Sequence, residues 1–195
     1  FKCQLLQLGG DEADIPKNWA KCDLCRLLMK KKNYTEPVQL MIPFFENILA
    51  SVRKYGKKPI LWFELNNEYP PADDYLFPYP KDVVLVSWRG GMTPTGLDLS
   101  AERGHNVIMA PGEYCYYDYP QYKGDLPEYN NWGMPMTTLE RAYRLDPGYG
   151  RPLSKQQHIW GVMGALWGEA IIDINRATYM SFPRAFALAE AGWTQ

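Results

Sequence analysis

The sequence predicts an α/β fold built on a parallel sheet, and three observations carry that prediction. Five short apolar runs recur along the 195 residues, each is followed by helix-forming sequence, and aromatic and acidic residues collect just after each run. Apolar strands without strict alternation belong to a sheet covered on both faces, which is the parallel, helix-flanked kind. Strand carboxyl ends are where βα-barrels and open α/β sheets build their sites.

The elements follow in order. Lys2–Leu8 reads as a buried strand closed by a turn at Gly9-Gly10. A helix is expected over Asn18–Lys32, with apolar Trp19, Cys22, Leu24, Leu27, Leu28 and Met29 and lysines at its carboxyl end. A second helix is expected over Glu36–Tyr55, where Leu40, Phe44, Ile48, Leu49 and Val52 recur at helical spacing and Gly56 stops it. Pro59–Phe63 and Asp82–Trp88 are the next strands, Leu97–Arg103 a short helix closed by Gly104, and Asn106–Ala110 the fourth strand. The segment Pro111–Met136 reads as a loop, long enough to suggest function, followed by a short helix over Thr137–Arg144. Gly161–Trp167 is the expected fifth strand, and Asn175–Trp193 is helical with a break before Pro183.

Composition excludes several classes. With 21 Lys+Arg against 22 Asp+Glu the net charge is −1, so no basic surface offers itself to nucleic acid. Runs such as Val83–Val86 and Val107–Ala110 fall far short of the ~20 residues that span a bilayer. Two histidines, His105 and His158, leave little choice of partners for a histidine metal site or a Ser-His-Asp triad. Four cysteines are too few for a disulfide scaffold; Cys22 and Cys25 are expected as free or buried thiols, with a disulfide if the compartment oxidises, and zinc is not expected. Asn33-Tyr34-Thr35 fits a glycosylation sequon of the kind that arises often by chance. The chain opens at Phe1 without a signal peptide, which reads as the middle of a longer protein. Seven Trp and fourteen Tyr beside many carboxylates suit carbohydrate, where rings stack on sugar faces and carboxylates accept hydroxyl hydrogen bonds.

Gly9-Gly10-Asp11-Glu12 is the sharpest local feature. Two adjacent carboxylates on a glycine turn point in different directions and can hold different protonation states, although alone the tetrapeptide reads as a solvated acidic turn. Trp62, Trp88, Tyr116, Asp118, Trp167 and Glu169 also stand at or after strand ends. Trp19 and Trp160 read as structural, and Trp193 as helix packing.

QLGGDEAD at 7–14 resembles the catalytic strand of glycoside hydrolase family 20, the β-N-acetylhexosaminidases. The resemblance continues, in the family's order, through LWFE at 61–64, VSWRG at 86–90, YCYYDY at 114–119, GALWGEAI at 164–171 and FPRAFALAEAGWT at 182–194. It implies a partial (β/α)8 barrel, units four to eight, with residues 1–195 as the C-terminal portion of the catalytic barrel and the first units missing. Such a piece exposes a sheet edge, so association with the missing barrel half or with another copy is expected.

The same resemblance implies a retaining, substrate-assisted mechanism. The substrate's acetamido oxygen attacks the anomeric carbon to give an oxazolinium. Glu12 is then the general acid, Asp11 the group that orients the acetamido N–H, and Tyr116 the donor to the acetamido oxygen. Trp62 and Trp88 wall the acetamido methyl pocket, Trp167 lies under the ring, Asp118 and Glu169 accept from the outer hydroxyls, and Trp132 stacks on the leaving group. The implied partners are glycans ending in N-acetylhexosamine, with no cofactor and no metal, and the implied compartment is secreted, periplasmic or lysosomal. Gln7 stands where the family usually has His, and Glu64 of Trp62-Phe63-Glu64 is expected in a supporting role. The family's Arg for the 3- and 4-hydroxyls belongs to the first barrel strand and lies outside this sequence. The alternatives are a glycan-binding relative without turnover, a piece inactive by itself, or a retaining glycosidase that uses two protein carboxylates.

Overall fold

A computed structural model describes residues 2–63, 78–125, 127 and 131–194. The chain forms two compact units, one from residues 1–86 with 103–106 and one from 87–102 with 107–195. Among the described residues no helix is long and apolar enough to cross a membrane.

In the first unit β1 (Leu5–Gln7) pairs in parallel with β2 (Lys58–Trp62), and β2 pairs in parallel with β3 (Val84–Ser87), whose last residue opens the second unit. Every residue of β3 is buried, as an apolar run inside a covered sheet should be. A π-helical turn over Ile15–Trp19 follows β1 directly, and α1 (Asp23–Lys32) starts only after it. The expected continuous helix from Asn18 breaks because Cys22 adopts an extended backbone and caps α1, its Sγ accepting from the Cys25 N–H at 3.4 Å. Asn33, left-handed at φ 55°, ends α1, and the lysines sit in its last turn as expected. A 3-10 turn over Pro37–Leu40 leads into α2 (Met41–Lys54). The buried stripe of α2 is Met41, Phe45, Leu49 and Val52, so Phe44 points outward and the stripe sits one residue from where Phe44 would place it.

In the second unit α3 (Thr93–Glu102) precedes β4 (Val107–Met109), which pairs in parallel with β5 (Ile159–Val162). Val107 pairs with Ile159 and Ile108 with Gly161, so Trp160 is skipped as a bulge. The fifth strand therefore lies at 159–162 rather than 161–167, and the next residues touch the sheet again only at an isolated bridge between Tyr116 and Ala165. Leu97, Val107 and Met109 form the core under this pair. A short helix, α4 (Gly112–Cys115), interrupts the expected loop; α5 (Leu139–Tyr143) and α6 (Leu153–Gln156) follow. The carboxyl end is α7 (Ile174–Ser181) and α8 (Arg184–Thr194), separated at Phe182-Pro183 as the proline implied. α8 buries Arg184, Ala187, Leu188 and Ala191, spaced one helical face apart. Trp193 lies off that face and is 90% exposed, which corrects its reading as helix packing.

Candidate active site

The first unit carries Asp11, Glu12 and Trp62. The Asp11–Glu12 turn is held by backbone and by one side chain. Gln7 Oε1 accepts from the N–H groups of Leu8 at 2.8 Å and Gly9 at 3.1 Å, so the residue in the usual histidine position braces the turn directly. Leu8 N–H also donates to Ile60 O at 3.0 Å, and Trp62 N–H donates to Gly9 O at 3.1 Å, which ties the turn to the end of β2. Gly10 has φ +101°, and a Cβ there would lie 2.8 Å from the Phe45 ring. Glycine is required at this position twice over, by conformation and by the close approach of Phe45.

Glu12 is exposed and holds φ +50°, one of three non-glycine residues with positive φ among those described. A left-handed carboxylate residue costs about 1 kcal/mol and such strain gathers at functional sites. Asp11 is half-buried beside it. Trp62 is buried at the end of β2, its carbonyl accepting from the Tyr79 hydroxyl at 3.3 Å. Glu64 lies outside the described residues.

The second unit packs Trp88, Tyr116 and Trp167 about one core, and Asp118 meets the Trp167 backbone. Trp88 follows β3; its carbonyl accepts from Gly112 N–H at 2.9 Å, and the Arg89 guanidinium sits 4.7 Å from its ring centre. The same loop is tied to α4 by Glu113, whose Oε1 accepts from Gly91 N–H at 3.2 Å. Past α4 the chain runs beside Ala165: Tyr117 N–H donates to Ala165 O at 2.7 Å, and Ala165 N–H donates to Cys115 O at 3.0 Å. Tyr116 is thereby fixed edge-on to Trp167, with ring centres 5.7 Å apart.

Asp118 is 5% exposed, and its Oδ1 faces the Trp167 N–H at 3.5 Å. Burial pushes its carboxyl up from 3.8 to about 6; the Glu169 charge pushes the same way, while the backbone hydrogen bonds and the Arg184 charge oppose. Glu169 stands exposed on the turn Gly168–Ala170. Trp132 is 59% exposed and meets this cluster through Tyr119, edge-on at 5.7 Å. Tyr119 in turn packs edge-on against Tyr116 at 5.4 Å. Among the described residues no three His, Cys, Asp or Glu side chains are grouped to hold a metal ion.

Sequence reasoning passed over Tyr119, Glu113 and Arg184. For Arg184 a signal existed: one cation at the head of the apolar helix FPRAFALA has to be either exposed or heavily hydrogen-bonded, and it is buried.

Parallel strands with acidic and aromatic residues after their carboxyl ends are the pattern of an α/β-barrel protein. The model of the glycosyl hydrolase family 20 catalytic domain matches residues 1–195, and the chain belongs to that family. A Beta-hexosaminidase of Akkermansia muciniphila is 37% identical over 100% of this chain, and one of Porphyromonas gingivalis is 30% identical over 100%. The chain spans 37% of the first relative's length and 23% of the second's. Among solved structures, a beta-N-acetylhexosaminidase matches with a TM-score of 0.82 and 37% identity, over 97% of this chain and 38% of that one. The GH20 exo beta-N-acetylglucosaminidase of Vibrio harveyi, in complex with N-acetylglucosamine, matches with a TM-score of 0.78 and 31% identity, over 100% of this chain and 29% of that one. The strands and helices are accordingly part of a (β/α)8 barrel.

Proposed function

We propose that the protein carrying this chain is a retaining exo-β-N-acetylhexosaminidase, and that the chain supplies βα units four to eight of its barrel. The observation that carries the reading is the strained, tightly braced Asp11–Glu12 turn, within a family whose relatives bear the name beta-hexosaminidase.

In this reading the substrate's acetamido oxygen attacks the anomeric carbon and displaces the leaving oxygen, which takes a proton from Glu12. Glu12 then removes a proton from the water that opens the oxazolinium. Asp11 accepts the acetamido N–H and stabilises positive charge as the ring closes. A protonated Glu12 next to an ionised Asp11 is the split that repulsion between neighbouring carboxylates favours. Tyr116 donates to the acetamido oxygen, with Trp167 against its edge as the floor under the sugar. Asp118 and Glu169 accept from the outer hydroxyls, Trp62 and Trp88 bound the methyl group, and Trp132 receives the leaving group. The substrates are glycans with terminal β-linked GlcNAc or GalNAc.

The test is release of p-nitrophenol from its N-acetyl-β-glucosaminide by the complete gene product. Turnover is expected, Glu12→Gln should abolish it on poor leaving groups, and Asp11→Asn should slow ring closure. A thiazoline mimic of the oxazolinium should bind more tightly than the free sugar. Folded protein that binds GlcNAc and thiazoline equally, without turnover, would establish a glycan-binding relative instead.

A further inference from the structure

We propose that Arg184 is a positioning residue of this site: its guanidinium grips the backbone on both sides of Asp118 and so sets where Asp118 and Tyr116 meet the sugar. The inference rests on the proposed role of Asp118 as a hydroxyl acceptor.

Arg184 opens α8 and is 0% exposed. Its hydrogen bonds all go to backbone carbonyls. Nη2 donates to Tyr117 O at 2.5 Å, Nη1 to Tyr119 O at 2.8 Å and to Thr137 O at 2.9 Å, and Nε to Met180 O at 3.1 Å, which Nη2 also reaches. One side chain thus joins the residues before and after Asp118 to the start of α5's segment and the end of α7. From the other side Tyr117 N–H is held by Ala165 O. Asp118 is left in a backbone frame gripped from two directions.

A buried cation hydrogen-bonded to neutral carbonyls is expensive, and a purely apolar plug could fill the same space more cheaply. Arginine has what the plug lacks: a planar fork whose donors can take two carbonyls two residues apart at fixed spacing. Its charge also acts on Asp118, opposing the burial that favours the neutral acid. The other charged or titratable groups facing this pair are Glu169 after β5, Asp125 with its ion-pair partner Arg176 on α7, and the tyrosines 117 and 179. Burial lowers the Arg184 guanidinium to about 10, so it remains a cation at neutral pH.

The experiment compares Arg184→Lys and Arg184→Met with wild type in the complete gene product. Carbon-13 titration of the Asp118 carboxyl and hydrogen exchange over residues 116–119 are read first, because neither needs turnover. Arg184→Met should raise the Asp118 midpoint by on the order of half a pH unit and speed exchange at these amides by about tenfold or more. Arg184→Lys, which keeps the charge but not the fork, should restore the midpoint and leave exchange fast. In kinetics both variants should raise KM, and only Arg184→Met should move the acid limb of the pH profile upward. If Arg184→Met fails to fold, the lysine variant decides through fast exchange at a normal midpoint. Variants that lose stability yet keep wild-type exchange over 116–119 and the wild-type Asp118 midpoint would overturn the proposal and leave Arg184 a structural residue. Wild type without turnover would sink the hydrolase reading alone, since the titration and exchange still decide the clamp.

Discussion

Replacing Asp118 with asparagine should stabilise the protein at neutral pH while removing the carboxylate proposed to meet the sugar. Asp118 is 5% exposed, and burial raises its carboxyl from 3.8 to about 6. A carboxyl that holds its proton more tightly folded than unfolded favours folding while both states are protonated, below about pH 4. That advantage drains away as pH climbs through the interval from 4 to 6, because the folded protein must then ionise a buried group. Above pH 6 the full difference, at about 1.4 kcal/mol per pH unit, is roughly 3 kcal/mol. Asparagine has the same shape, keeps an oxygen for the Trp167 N–H and never ionises. The assay is urea or thermal unfolding of both proteins between pH 4 and 8. The variant should match wild type near pH 4 and exceed it by up to about 3 kcal/mol at pH 7, or by about 6–12 °C for a chain of this size. A difference that stays flat across the range, or a variant weaker at pH 7, would refute the assignment of Asp118 as a desolvated carboxylate.

Other substitutions probe the frame that holds the site. Gly10→Ala combines φ +101° with a Cβ 2.8 Å from Phe45 and should cost about 2–6 kcal/mol in unfolding experiments, whereas Gly9→Ala, at φ +75° with open space around it, should cost only about 1 kcal/mol. Gly192→Ala drives a methyl to 2.5 Å from Val162 Cγ2 and should lower the unfolding free energy by about 1–3 kcal/mol; the double variant with Val162→Ala should lose less than the sum of the two single losses. Asp173→Ala removes the cap whose carboxylate accepts from Arg176 N–H at 2.7 Å, and α7 should lose about 1 kcal/mol, read by local hydrogen exchange.

The alternation of apolar runs and helices was legible because β2 and β3 are buried on both faces and carry a continuous apolar signature, whereas β1, expected to be buried, leaves Leu5 and Gln7 exposed. That signature reports burial, not hydrogen bonding, so the strands came out longer in sequence than in structure: Asp82–Trp88 contracts to Val84–Ser87. The fifth strand was displaced because the bulge at Trp160 and the glycine after it interrupt the apolar pattern just where the pairing occurs, while the more apolar GVMGALW continues beyond it. The helix expected from Asn18 failed for a local reason. Cys22 spends its side chain on a cap, and a cap starts a helix rather than continuing one. The candidate site was proposed from residue types at strand ends, and the second unit packs Trp88, Tyr116 and Trp167 about one core with Asp118 against the Trp167 backbone. The supports were legible only in part: Gln7 as a departure from the family's histidine and Arg184 as a lone cation heading an apolar helix, but not the contacts they make. Gln7 and Glu113 accept from backbone N–H groups and Arg184 donates to backbone carbonyls, and backbone partners leave no trace in a side-chain pattern.

Those supports share one physical logic. A catalytic or binding side chain gains accuracy only if the main chain beneath it cannot move, and main chain outside regular helix or sheet has N–H and C=O groups that must find partners when buried. At the acid turn Gln7 supplies the acceptor; at the Trp88 loop Glu113 does so for Gly91; around Asp118 the missing groups are donors, and Arg184 supplies them. The sign of each support follows from which backbone groups it meets. A side-chain amide oxygen or a carboxylate serves N–H groups, and a guanidinium serves carbonyls. Charge at these positions is therefore set by local backbone satisfaction first, and its influence on neighbouring carboxyls such as Asp118 comes with it.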